Sequence, residues 1–450
     1  MRYTDRTMKF NLASSVLLLG SALITANGQS VSSSAGTELA ENFIVTQTDV
    51  SNTARLILDL SEIQEYIQLN INANFTGNAI DQADFSDDVL KIYTEGLNAI
   101  RYDEAGNDAG GRISLASLST QASTNPAKNP LSNQAFYNLH LYGLTNRRPI
   151  QNHLFATFGD EHVKTYIDQF FEVDPDLVPD SILALVIYPY MISRAYEVLD
   201  DCDKFANSVS MASLAEADYQ NYLSDTIKAI DEMIALYVGA EQTRASSDGF
   251  SFYALAQRAA AYFDTDLSTG DTMDFEGDAP VNQKIRELYE EVTKLMSFGD
   301  ACHPGSKTTG QLHSVIQRMV SQTQITLTQM LIHSIVQKDE QRTKIYSLAL
   351  IPQTVRCRPS NFDTLYKTFL DTDVIEFGEG PLSMGLSNPL SYAIIALQAS
   401  YSCLGFTCDD IGIYQYGDAT VGKCADRPAL MPMAGYSPVS DVYNVRLLCF

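Results

Sequence analysis

The chain has 450 residues, 45% of them hydrophobic, and a formal net charge of −25. So acidic a chain repels nucleic acid and anionic membrane surfaces and accumulates cations, which sets nucleic-acid binding aside. The roughly 420 residues beyond a leader are enough for two domains with real cores.

At the N-terminus, Arg2, Arg6 and Lys9 precede an apolar run from Leu12 to Ala26. Ala26 and Gly28 then stand at the −3 and −1 positions of a cleavage after Gly28. This is the layout of a secretory signal peptide over residues 1–28, and the run is short for a membrane span. Three basic residues against Asp5 give the leader +2, so the mature chain stands at −27. Residues 29–45 open with QSVSSSAGTELA, small and polar, and are expected to form a flexible leader.

From about Thr53, the residues Ala54, Ile57, Leu60, Ile63 and Tyr66 keep an i+3 spacing, the stripe of an amphipathic helix. A second helix is expected from Ser86 to Ile100, and the Gly-, Ser-, Asn- and Pro-rich residues 103–132 read as loop around one short helix. The apolar run Ile182–Leu199 holds Pro189, Arg194 and Glu197. It reads as a buried helix kinked at Pro189, so no transmembrane segment is expected after signal cleavage. Residues 281–297 place Val281, Ile285, Leu288, Val292 and Leu295 on one face. A long helix is expected over 309–338, with Leu312, Ile316, Met319, Thr323, Leu327, Met330 and Ser334 along its stripe. Strand-like alternation is scarce, so the fold class is all-α.

An internal repeat is also legible. Ile92-Tyr93 aligns with Leu236-Tyr237, Phe158-Gly159-Asp160 with Phe298-Gly299-Asp300, and Leu183-Ala184-Leu185 before Pro189 with Leu348-Ala349-Leu350 before Pro352. The order is preserved, and chance recurrence of short apolar words is the competing explanation. The resulting expectation is two helical-bundle halves, residues 46–205 and 206–408, with an irregular, disulfide-containing tail over 409–450.

Seven cysteines fit an oxidising compartment: Cys202, Cys302, Cys357, Cys403, Cys408, Cys424 and Cys449. Their spacing forms no CxxC pair, which speaks against a zinc ribbon. Asn74-Phe75-Thr76 is a glycosylation sequon for an exported chain.

Chemistry is sparse. There is no GxSxG elbow, no HExxH helix and no phosphate-binding glycine loop. The six histidines, at 140, 153, 162, 303, 313 and 333, lack a ligand partner at i+4. The best metal candidate is Arg286-Glu287-Leu288-Tyr289-Glu290, where Glu287 and Glu290 stand at i, i+3 and can present two oxygens to a hard cation. The REXXE word also occurs in iron permeases, and oxygen ligands suit ferric iron. The competing explanation is a solvated face opposite Leu288. Two more acidic groups, Asp200-Asp201-Asp203 and the loop from Asp264 to Asp278, read as solvated charge. Tyr188-Pro189-Tyr190 and Phe250, Phe252 and Tyr253 read as core.

The stretch Asp231–Thr265 joins two helices through a polar, Gly-containing loop. Its words ALYVGAEQ and DGFSFYALAQRAAAYFDT, then VNQKIRELYEEVTKL and YSCLGFTCDDIG, resemble the low-iron-inducible or high-CO2-inducible secreted periplasmic proteins of green algae, diatoms and other heterokonts. KIYTEGLNAIR and the segment Ile187–Met191 with Asp200-Asp201-Cys202 resemble other words of that family, so the likeness spans most of residues 85–425.

The resemblance implies an exported protein of iron assimilation at the cell surface, with iron ions and a membrane iron-uptake system as partners. It implies no enzymatic activity, no catalytic residue and no resident cofactor beyond iron itself. Where family members often carry two cysteines after the Tyr-Ala-Leu-Ala word, this chain has Ala260 and Asp266. Cys302 and Cys357 end helical segments and could meet, Cys403 and Cys408 enclose a short loop, and Cys424 follows; the connectivity stays open. The alternative is a structural or adhesion module of the extracellular matrix or cell wall. A bundle-type iron oxidase would need Glu-x-x-His pairs, and the chain has none.

Overall fold

The computed structural model describes residues 37–40, 43–45, 48–75, 82–102, 108–120, 158–168, 176–206, 216–265, 277–297, 301–372, 375, 377, 389–416 and 419–421. They belong to one compact unit that begins at residue 36. The signal peptide, Cys424, Cys449, His140 and His153 lie outside the described residues, as does the side chain of Asn74.

The fold is mostly helical. α1 (Ser51–Phe75) buries Ala54, Ile57, Leu60 and Ile63 of the expected stripe, leaves Tyr66 partly buried, and adds Leu56 and Ile67. α2 (Gln82–Glu95) starts and ends earlier than the expected 86–100, and its end comes where Gly96 adopts a φ of 76° and turns the chain out of the helix. The turn is then held from outside: the buried Asp59 carboxylate accepts from the backbone N–H of Asn98 at 2.8 Å and of Leu97 at 3.3 Å. Ile100 starts a strand instead, pairing Ile100–Tyr102 with Asp108–Arg112. α3 (Leu115–Thr120) supplies the short helix expected in this region, and α4 (Phe158–Asp168) follows.

The run Leu177–Ala206 is helical throughout but not α-helical throughout. α5 (Leu177–Ile182) passes into a π segment, Leu183–Ile187, and then into α6 (Tyr188–Ala206). Pro189 gives the physical reason. It cannot donate to the carbonyl four residues back, and its ring would press on that carbonyl. Widening the preceding turn, with Tyr188 N–H donating to Leu183 O, relieves the conflict. The run is long and apolar enough to cross a membrane by composition, yet most of it is buried within the fold.

α7 (Glu216–Val238), α8 (Phe252–Tyr262) and α9 (Pro280–Ser297) lead to α10 (Thr309–Gln337), which stops at Lys338 with a φ of 57°. α10 buries its whole expected stripe and also nearly every other residue from Met319 to Leu331, so it is a central helix rather than an amphipathic one. α6, α8, α9 and α11 (Glu340–Leu350) pack around it. A 3-10 segment, Ile351–Arg356, follows α11 at Pro352, and α12 (Pro359–Phe369) and α13 (Pro389–Gln398) come next.

The two Leu-Ala-Leu words are neighbours, since the π segment packs against α11. Each precedes a proline; the first lies within the π segment and the second leads directly into the 3-10 segment. Buried side chains from residues 46–205 and from 206–408 join one continuous core. An internal duplication is not shown by this arrangement.

The last described segment contains the single turns α14 (Tyr401–Leu404) and α15 (Cys408–Ile411), then a hairpin of Tyr414–Tyr416 with Ala419–Val421. The start of the expected irregular tail is thus ordered.

Candidate functional site

Glu287 and Glu290 sit on the solvent face of α9, opposite the buried Leu288 and Tyr289. Glu287 pairs with Lys284 at 2.8 Å and accepts from Gln283 at 3.3 Å, and Glu290 lies 3.7 Å from Lys294. Glu291 pairs instead with Arg318 of α10 at 2.8 Å. The carboxylates are accessible to a cation, which would have to compete with two lysines. Among the described residues, no three or more His, Cys, Asp or Glu side chains converge to hold a metal ion.

The other acidic groups are tied into the structure where they are described. Asp203 holds His313 Nε2 at 2.9 Å and Asp201 holds Lys204 at 2.9 Å. Asp278 bonds Arg244 Nε at 3.2 Å and the Tyr253 hydroxyl at 2.8 Å; Asp266, Asp271, Asp274 and Glu276 lie outside the described residues. The aromatics named above pack as core, with Tyr188 stacked on Phe252 at 5.6 Å.

Asp231–Thr265 forms a hydrogen-bonded clamp with residues 277–282. Gln257 of α8 is its hub: its amide nitrogen donates to Gly277 O at 2.8 Å, and its oxygen accepts from Asn282 Nδ2 at 2.9 Å and from Ala279 N–H. Asn282 also donates to Tyr253 O at 3.1 Å and accepts from the Tyr237 hydroxyl at 2.6 Å. Arg258 Nη1 reaches Ser247 O and Gly249 O, each at 2.8 Å, and Ser251 caps α8 by accepting from Ala254 N–H at 3.0 Å. These bonds fix a loop with Glu241 and Ala245 at φ of 62° and 54°, a conformation that other L-residues rarely adopt. The polar residues of the signature words are therefore spent on architecture. Sequence reading missed Gln257 and Asn282 as core polar groups, and the available signal was an amide at an apolar helical position.

A second polar group lies where α5, α10 and α11 meet. Arg342 donates to Asp180 at 2.8 Å and pairs with Asp339 at 2.7 Å, and burial pushes the Asp180 carboxyl up against the opposing pull of Arg342. His333 stacks on Tyr262 with ring centroids 3.9 Å apart. Its Nδ1 lies 2.9 Å from the Tyr414 hydroxyl, whose oxygen accepts from Gln337 at 3.1 Å. Burial, with Arg342 nearby, pushes His333 down to about 4, so the ring is neutral at pH 7 and shares a hydrogen bond with the Tyr414 hydroxyl.

The disulfides correct one expectation. Cys302 and Cys357 do not meet: Cys202 pairs with Cys302 and Cys357 with Cys403. The two helix ends face different partners, because α10 and α11 lie between Cys302 and Cys357 in the chain. Cys408 is disulfide-bonded as well. The bonded cysteines fit an oxidising compartment.

Comparison with family models, curated proteins and solved structures finds no match to this chain.

Proposed function

We propose that this chain is an exported, non-enzymatic protein that binds or concentrates iron at an algal cell surface and hands it to a membrane uptake system. The observation that carries the reading is the combination of signature words, Asp231–Thr265, VNQKIRELYEEVTKL and YSCLGFTCDDIG, which together resemble the low-iron-inducible family. The bonded cysteines and the net charge of −25 support it, because the first suit an oxidising exterior and the second raises the local concentration of cations.

Glu287 and Glu290 are the candidate ligands. Two exposed carboxylates one helical turn apart would supply part of an oxygen shell, with water completing it. Lys284 and Lys294 are the competing cations. Calorimetric titration with Fe(II) and Fe(III) tests the assignment. Replacing Glu287 and Glu290 together by Gln should weaken binding about tenfold, and replacing Lys284 and Lys294 by Ala should tighten it. Unchanged affinity in both variants would remove iron from this helix face.

A further inference from the structure

The bonded cysteines differ in exposure. Cys202 and Cys302 are both fully buried, fastening the last turn of α6 to the turn before α10. Cys357 is half-buried and Cys403 is exposed. This second bond ties the 3-10 segment to residues 401–416, which lie along α10 as a strap.

The strap runs parallel to α10 and is held by its side chains in order. Ser321 Oγ donates to Leu404 O at 2.7 Å, Gln329 Nε2 to Ile411 O at 2.9 Å, and Gln337 Nε2 to the Tyr414 hydroxyl at 3.1 Å. Ile413 N–H adds a bond to Phe263 O at 3.0 Å. Two glycines permit the close approach. Gly405 has a φ of 92° and would drive a Cβ into Ser321; Gly412 has a φ of 78° and would place one 2.6 Å from the Phe263 carbonyl. Ser321 and Gln329, polar side chains of a central helix, are buried beneath the strap and bonded to its backbone.

We propose that Cys357–Cys403 is a reductively opened latch on this strap, while Cys202–Cys302 is a permanent staple of the core. Opening requires a thiolate to approach a sulfur, and the exposed Cys403 offers one. A small dithiol attacks Cys403 Sγ, the Cys357 sulfur leaves as thiolate and takes a proton from water, and a mixed disulfide remains on Cys403. The second thiol of the reductant attacks its own mixed-disulfide sulfur and frees Cys403. The dithiol is oxidised to a disulfide and the protein gains two thiols. With the latch open, the strap keeps its apolar and hydrogen-bonded seat and the bond at Cys408, and the buried Ser321 and Gln329 gain access to solvent.

The test uses the full mature chain in native buffer with stepwise dithiothreitol, trapping by iodoacetamide, peptide mapping and hydrogen exchange. Cys357 and Cys403 should alkylate at least about tenfold faster than Cys202 and Cys302. Amides of 401–416 should lose about tenfold in protection while those of 177–206 keep theirs. The double variant Cys357→Ser/Cys403→Ser leaves Cys408 bonded, and its strap should exchange like that of the reduced protein. Equal alkylation rates for the two pairs, or a strap as protected with the latch open as with it closed, would overturn the proposal.

Discussion

Replacing Gln257 by Leu removes the hub of the clamp while nearly keeping its volume. Three groups lose their partner: the Ala279 N–H, one Asn282 amide proton and the Gly277 carbonyl. Ala279 is fully buried and Asn282 is 2% exposed, so water cannot replace what is lost without opening the loop. A buried donor or acceptor left unmade costs about 1–3 kcal/mol. Asn282 keeps its bond to Tyr253 O and Gly277 lies at the margin, so the full effect falls on Ala279 and a partial effect on the other two. The expected destabilisation is about 3–4 kcal/mol. Equilibrium urea unfolding of the disulfide-intact protein reads it as a lowered midpoint at constant slope. Gln257→Glu is the control: it keeps an acceptor oxygen, loses the donor and buries a charge near Asp278, so it should approach wild type in acid and weaken as pH rises above the ordinary Glu range. A loss below about 1 kcal/mol for Gln257→Leu would refute the view that the signature is architectural.

Three further outcomes follow from the same geometry. The folded-state value of His333, about 4, lies below the unfolded 6.5, so the unfolded chain binds more protons between them. The stability His333 contributes is therefore full above about pH 6.5 and lost as pH falls toward 4; His333→Gln should flatten this slope by about 2 kcal/mol, after allowance for partial exposure, in urea unfolding run at several pH values. Arg342→Ala strands Asp180 and Asp339 and should cost about 3 kcal/mol at pH 7, less in acid where Asp180 takes up a proton. Gly412→Ala imposes a left-handed conformation on a side chain that also meets Phe263 O, and should lift the strap, seen as lost exchange protection over 401–416 with α1 unchanged.

How much of this was legible in the chain depends on the range of the interaction. Local periodicity located α9, α10 and the start of α1 to within a residue or two, because Leu60, Leu288 and Leu327 repeat at helical spacing. Pro189 announced a distortion, expected as a kink and found as a π segment that also packs against α11. The turn after α2 is held by Asp59, a partner 38 residues away from Leu97, and the disulfide pairing turned on the path of α10. Glu287 and Glu290 were placed correctly on one face of a helix; their lysine partners were visible at i−3 and i+4 and were not weighed. The burial of Ser321, Gln329 and Gln257 escaped detection because each polar group is satisfied by backbone distant in sequence.

Metal analysis of the native protein, purified without chelator and dialysed, tests the functional account most directly. The account predicts iron retained above the level of an equally acidic control protein, and reduced in the Glu287→Gln/Glu290→Gln variant. Iron at the control level in both proteins would contradict it.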